Sequence, residues 1–327
     1  IENGSSISNN RAEGGLRFGG GIRVATQAQL SITDTLIQEN QSSVGGGIYS
    51  FNSTVEVINS RIANNSASQR GGAVEVNSTD LVIRSDVGSE SGQCMPASLP
   101  INRYCMEITG NSSQGVGGGL FIQNTSGAQT PEPVVISGVS IVNNQAIEGG
   151  AAIFAEYFVP ETLQLENLLI VDHDSADVSV VEILGDTDAR LHALTIAGNS
   201  GPGLQATDNA TTLELSASII FDNALAPNVA FGVLFTRSCN NSQPGSGQSM
   251  GGNLGNPGFV TTARGDYRLD ANSASADQCE SGPGRDLDGL YRLSGSLIDQ
   301  GAFEHDGLLV PPDSIFGDRF LESTAGQ

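Results

Sequence analysis

The sequence predicts an all-β chain, a right-handed parallel β-helix in which short strands stack turn upon turn. Three observations carry this reading. The first is a recurring Ile-x-x-Asn pattern: Ile7 to Asn10, Ile37 to Asn40, Ile62 to Asn65, Ile108 to Asn111, Ile141 to Asn144, Ile170 to His173, Ile196 to Asn199 and Ile220 to Asn223. The steps between successive Ile are 30, 25, 46, 33, 29, 26 and 24 residues, the period of a solenoid with insertions. The second is a glycine cluster followed by an apolar residue, 11 to 15 residues after the Ile: Gly19-Gly-Gly-Ile22, Gly45-Gly-Gly-Ile48, Gly71-Gly-Ala-Val74, Gly117-Gly-Gly-Leu120 and Gly149-Gly-Ala-Ala-Ile153. The third is a set of short alternating runs, Leu30-Ser-Ile32, Val55-Glu-Val57, Val134-Val-Ile136, Leu163-Gln-Leu165 and Leu213-Glu-Leu215, whose apolar residues at i and i+2 mark one face of a strand.

Each landmark has a physical reason. Three strands per period, separated by Gly and Asn bends, form a coil whose apolar face is buried only by the next coil. About ten or more such coils fit the chain. An Asn tolerates the left-handed backbone of a tight bend, and its amide can hydrogen-bond along the axis. Asn10, Asn40, Asn65, Asn111, Asn144, Asn199 and Asn223, with His173 standing in once, are therefore expected to stack as a ladder at the strand spacing of about 4.8 Å. The glycines permit positive φ and close approach of neighbouring turns. No stretch keeps a 3.6-residue apolar period, which excludes a helical architecture.

The Gly-Gly-Ala/Gly-Ile and Asn-Asn-x-Ala repeats resemble those of bacterial right-handed β-helix proteins, including the passenger regions of chlamydial polymorphic outer-membrane proteins. Asp266-Tyr-Arg-Leu269, Ala276-Asp277, Asp286-Leu-Asp-Gly289, Arg292 and Ile298-Asp-Gln-Gly-Ala-Phe-Glu304 look like the closing segment of secreted β-helix proteins from environmental bacteria. Pro312-Asp-Ser-Ile-Phe-Gly-Asp318 with Phe320 is similar to a C-terminal tag on exported proteins of Gram-negative bacteria, although Arg319 replaces the usual Gly and Leu321 separates Phe320 from Glu322. The resemblance implies fold and export, to the outside or the cell surface of a Gram-negative bacterium; it implies no particular activity.

Taken in order, residues 1–238 carry the coils, with loop insertions near 88–105, 125–133 and 156–162 and room for an extra coil at Leu81-Val-Ile83. The first coil begins at once, with no helix ahead of Ile7 to cover it, so that end is expected either to continue in a preceding segment or to dock on another chain. The absence of an initial Met and of a signal peptide fits an export sequence removed or never included. A Gly, Ser and Asn-rich loop follows over 239–258, then terminal coils and a cap over 259–304, and a tail over 305–327. The four cysteines allow three pairings. Cys94 with Cys105 and Cys239 with Cys279 are favoured, because each pair closes a segment outside the repeating coils, and two disulfides fit an oxidising compartment.

Charge narrows the partners. The 14 basic residues, all Arg, stand against 36 acidic ones, giving −22. Such a field repels nucleic acid and anionic membrane surfaces and could attract calcium. No run reaches the 18 apolar residues of a membrane-spanning helix, so no membrane insertion is expected and the chain reads as soluble. There is no Trp and there are five Tyr, few platforms for stacking sugars.

The densest polar cluster is Asp172-His173-Asp174, with Asp177 beside it and His192 nearly one coil later. A His between carboxylates could serve as general base or acid, and Asp172, Asp174 and Glu182 are the candidates for paired carboxylates on a neutral glycan. The plainer reading puts His173 in the ladder and leaves the aspartates solvated. Asp286 and Asp288 look like the start of a calcium loop, but position 12 is Leu297 rather than Glu; the resemblance to the closing segment of secreted β-helix proteins implies a structural turn here. No organic cofactor motif is present. The expected function is a secreted or surface-exposed structural or adhesive rod that presents loops to a glycan, a surface or another copy of itself, with association through its ends into a filament or layer. The alternative is a carbohydrate-active enzyme, a polysaccharide lyase or glycoside hydrolase, and the scarcity of Arg around Arg190 counts against a polyanionic substrate.

Overall fold

The computed structural model describes residues 1–2, 4–86, 106–124, 134–174, 178–207, 212–225, 228–229, 233–242, 252–261, 266–280, 283–288, 292 and 297–305. Every strand of the stack pairs in parallel with the turn before and after it, and the described chain is a parallel β-solenoid without helices. The Ile of the repeat is its metronome. Ile7 pairs with Ile37, and the register runs on through Ile62, Ile108, Ile141, Ile170, Ile196 and Ile220. The chain therefore goes round seven times between the first Ile and the last.

Three sheets form the walls. The first stacks ten strands, from Ser6–Ser8 and Leu36–Gln38 through Arg61–Ala63, Met106–Thr109, Val139–Val142, Leu169–Val171, Thr195–Ala197 and Ile219–Phe221 to Asn240–Ser242 and Gly252–Leu254. The second is short, with Gln41–Val44, Ser66–Arg70, Ser112–Ser113 and Gln145–Ala146. The third has 14 strands and is entered twice in most turns, for example by Ile48–Phe51 and Thr54–Ile58. Leu81-Val-Ile83 belongs to its second stack, in Asp80–Arg84, pairing with Thr54–Ile58; it is part of an ordinary turn and not an extra coil. The inward apolar rows of the first and third sheets form one core, with Ile37, Ile62, Ile108, Ile141, Ile170 and Ile196 fully buried. Burying one such side chain is worth about 2–3 kcal/mol.

Bends between sheets follow a rule of conformation more than of residue type. The residue immediately before each ladder position lies in the left-handed region: Asn9, Glu39, Asn64, Gly110, Asn143, Asp172, Gly198 and Asp222, with φ between 51° and 65° in every case. The ladder Asn itself is not the left-handed residue. The glycine landmark answers two demands, as expected: Gly19, Gly45, Gly71, Gly117 and Gly150 have positive φ, and the next glycine is needed for close approach, since a Cβ on Gly72 would sit 2.2 Å from the Gly118 carbonyl oxygen and 2.6 Å from that of Ser112.

Several expected boundaries shift. No loop interrupts 156–162, because one strand spans Ile153–Glu166 and absorbs the extra residues as a register shift between Tyr157 and Glu161. The stretch 239–258 is not only loop, since Asn240–Ser242 and Gly252–Leu254 extend the first sheet. The described part of 259–304 does not add parallel rungs as terminal coils. It forms an antiparallel hairpin, Phe259–Thr261 with Asp266–Leu269, and then an irregular strap along the outside of the first sheet. Tyr267, Leu287, Ala302 and Phe303 pack there on Leu169, Val171 and Ala197. The insertions at 88–105 and 125–133, the pair Cys94 and Cys105, and the tail beyond His305 lie outside the described residues.

Candidate functional site

The ladder is continuous from Asn10 to Asn223. In each pair of Asn rungs, the side-chain oxygen of the later residue accepts from the earlier residue's side-chain amide, as for Asn65 and Asn111 at 3.0 Å and Asn111 and Asn144 at 2.9 Å. The same oxygen also takes the earlier residue's backbone N–H, at 2.9 Å in both cases. The amide nitrogen makes a further bond to the Ile carbonyl of the turn before, for example Asn111 to Ile62 at 2.9 Å. Buried polar groups with this many partners fix the register of neighbouring turns.

His173 occupies one rung and is 1% exposed. Its Nδ1 lies 3.0 Å from the Asn199 side-chain oxygen, and its Nε2 lies 3.5 Å from the Asn144 amide nitrogen. An amide oxygen can only accept and an amide nitrogen can only donate, which assigns the proton to Nδ1 and leaves Nε2 as acceptor. Neutral imidazole thus reproduces the polarity of the Asn it replaces. Burial pulls its pKa down to about 4, against smaller upward pulls from its bonds to Asn199 and Val171.

The rest of the expected cluster faces elsewhere. Asp172 and Asp174 are exposed on either side of His173. Asp172 accepts a hydrogen bond from the Tyr267 hydroxyl of the strap at 3.0 Å, and burial together with that carboxylate pushes the tyrosine pKa upward. Asp174 accepts from the Ser200 hydroxyl at 3.4 Å. Glu182 stands in a different sheet, beside Phe154 in register, where burial raises its carboxyl and hydrogen bonds from Ser179 and the Gly150 backbone partly offset this. His173, Asp172, Asp174 and Glu182 do not converge on one solvent-facing point. Asp286 is buried and accepts from the Glu304 backbone N–H at 3.0 Å; Asp288 is half-buried nearby. Among the described residues no three His, Cys, Asp or Glu side chains gather as a metal site.

A polar grouping that the sequence did not single out lies on the outer face of the third sheet. A shallow groove of about 310 Å³ is lined by Gln164, Glu166, Arg190, His192, Glu214 and Ser216. Two outward rows build it, Gln164–Arg190–Glu214 and Glu166–His192–Ser216, each residue one turn above the last. His192 Nδ1 is 2.7 Å from the Ser216 hydroxyl. Burial lowers its pKa, the nearby Arg292 guanidinium lowers it further and Glu214 opposes this; burial also raises the carboxyl of Glu166, with Arg292 opposing. His192 was visible in the sequence only as a neighbour of the Asp172 cluster. Its true companions come from the turns on either side, and only the register brings them together.

The strap is fixed by covalent and polar contacts. Cys239 and Cys279 form a disulfide with a Cα–Cα distance of 5.6 Å. The Asn167 amide donates to the Arg285 carbonyl at 3.1 Å, and Arg292 is buried against Glu304 at 2.8 Å. The Ala302 N–H donates to the Thr195 hydroxyl at 3.0 Å. No helix of the described chain is long and apolar enough to cross a membrane. Fold and ladder together define the chain as a parallel β-solenoid. No protein-family model, curated protein or solved structure matches it.

Proposed function

We propose that this protein is a structural, adhesive rod that works outside the cell or at its surface. The observation that carries the reading is the place of His173. The best candidate base in the sequence has both ring nitrogens engaged inside the ladder, so the Asp172-His173-Asp174 cluster supports turn-to-turn register more readily than proton transfer to a substrate. An acidic exterior of −22 supports solubility at high concentration and contact with neutral rather than polyanionic surfaces. Self-association through the backbone edges of the stack, and bridging of acidic patches by calcium, belong to the same reading.

Electron microscopy of the purified protein, with and without millimolar calcium, combined with adsorption to insoluble polysaccharides and whole cells, tests it. Rods or filaments that adhere without consuming the polysaccharide are the expected result. Release of reducing or unsaturated sugars, abolished by Asp172→Ala or Asp174→Ala, would instead establish the carbohydrate-active alternative.

A further inference from the structure

Along the outer face of the third sheet, the same two rows change character from one part of the rod to the other. In earlier turns the row that later holds Gln164, Arg190 and Glu214 presents Ser31, Glu56, Val82 and Val135. At the level of Arg84 the surface neutralises itself, with Arg84 3.5 Å from Glu56. From Gln164 onward the rows carry a donor or acceptor at each rung, with His192 and Ser216 paired at 2.7 Å. Arg190, 57% exposed, leans along its own strand towards Asp188 at 3.8 Å, although Glu214 is its direct rung neighbour. The strap reaches the end of the Glu166 strand, where Arg285 and Arg292 contact Asn167, the residue that follows Glu166.

We propose that this groove binds a neutral, hydroxyl-rich chain, a glycan segment lying parallel to the rod axis. The proposal rests on the adhesive reading and names its contact surface. The chemistry selects the ligand class. A polyanion would meet Glu166 and Glu214 with Arg190 as the exposed cation, on a protein of charge −22. An apolar ligand would desolvate four or more polar side chains without replacing their hydrogen bonds. Sugar hydroxyls can donate to Glu166 and Glu214 and accept from Arg190, Gln164 and neutral His192. Rungs about 4.8 Å apart repeat those groups along the axis, as a chain of linked sugars repeats its hydroxyls. The groove lining contains no Phe, Tyr or Trp, so a single site is weak, with a Kd on the order of millimolar, and adhesion comes from many rods acting together.

The test uses the full chain and soluble neutral hexasaccharides, cellohexaose, xylohexaose and maltohexaose, titrated in about 150 mM NaCl and followed by NMR shifts or calorimetry, with hexagalacturonate as the anionic control. Arg190→Ala and Glu214→Ala change exposed side chains and leave the core intact. Saturable binding of a neutral hexasaccharide, weakened about tenfold by either substitution and absent for hexagalacturonate, is the expected result. No saturation by any neutral hexasaccharide at tens of millimolar, or binding equally strong in both variants, overturns the proposal. Adhesion that persists while groove binding is absent removes the groove and keeps the rod; loss of both removes the adhesive reading as well.

Discussion

At the scale of single residues, two buried titratable side chains pull stability in opposite directions with pH. His173 has a folded pKa near 4 against an ordinary 6.5. As pH falls below 6.5 the unfolded chain takes up the proton first, so stability is lost between about 6.5 and 4. His173→Asn restores a rung that does not titrate. It is expected to match or exceed the natural protein at pH 8 and to gain roughly 2 kcal/mol over it at pH 5, read from denaturant midpoints at the two pH values. Curves that stay parallel from pH 8 to 4.5 would refute the ladder tautomer assigned above. Glu75 has the reverse sign. It is fully buried between Tyr49 and Phe121 in neighbouring turns, and burial raises its carboxyl to about 7 from 4.5 against the attraction and hydrogen bond of Arg70 at 2.9 Å. Its contribution is complete below about 4.5 and is lost as pH rises through 7. Arg70 is 36% exposed, so water screens part of its attraction. Glu75→Gln should be nearly neutral at pH 4.5 and stabilising by about 1–2 kcal/mol at pH 8, measured by the same unfolding curves.

At the scale of one turn, the bends and the ladder are the elements that mutation can separate. Gly72→Ala forces a methyl against the Gly118 and Ser112 carbonyl oxygens, and the stacked turns cannot part without breaking parallel ladder bonds. A loss of about 3 kcal/mol or more is expected. Gly15 presents the opposite case, a positive φ of 57° with open space around its Cβ position, so Gly15→Ala should cost only about 1 kcal/mol. Equal losses in thermal unfolding would show that backbone conformation, not close approach, explains the glycine clusters. The same distinction explains how much was legible. The Ile-x-x-Asn spacing recorded the register because one inward residue and one ladder residue must recur in every turn. The left-handed site before the ladder hid itself among Asn, Asp, Glu and Gly, since a bend can be met by several residue types. Outward rows obey no such constraint. Glu166, His192 and Ser216 share no motif and were invisible until the register aligned them, and 156–162 read as a loop because Pro160 and a bulge lie inside one long strand, Ile153–Glu166.

At the scale of the whole molecule, the strap joins turns that a simple stack leaves dependent on nearest neighbours. Its apolar anchors, Tyr267, Leu287 and Phe303, sit on Leu169, Val171 and Ala197, outward positions that a solvated sheet would fill with polar residues; upstream, the same sheet carries the ion pair of Arg61 and Glu107 at 2.7 Å. The Cys239–Cys279 disulfide closes a loop of sequence separation 40 at the root of the strap, a constraint on the unfolded chain worth roughly 3–4 kcal/mol in the loop-entropy model. Because it ties the strap to the last turns rather than the turns to each other, reduction should loosen the strap before the stack. The protein offers a direct readout, since every basic residue is Arg and trypsin cuts only after Arg and Lys. In the oxidised protein Arg292 is buried and hydrogen-bonded to Glu304, Asn167 and Gly301. Reduction, or Cys279→Ser, is expected to bring early cuts after Arg268, Arg285 and Arg292 while Arg61 and Arg84, inside the stack, remain uncut and the β-sheet circular dichroism is retained. Early cleavage within the stack would mean that strap and turns unfold as one unit; no new cleavage would mean that the apolar contact with Leu169 and Val171 holds the strap without the disulfide.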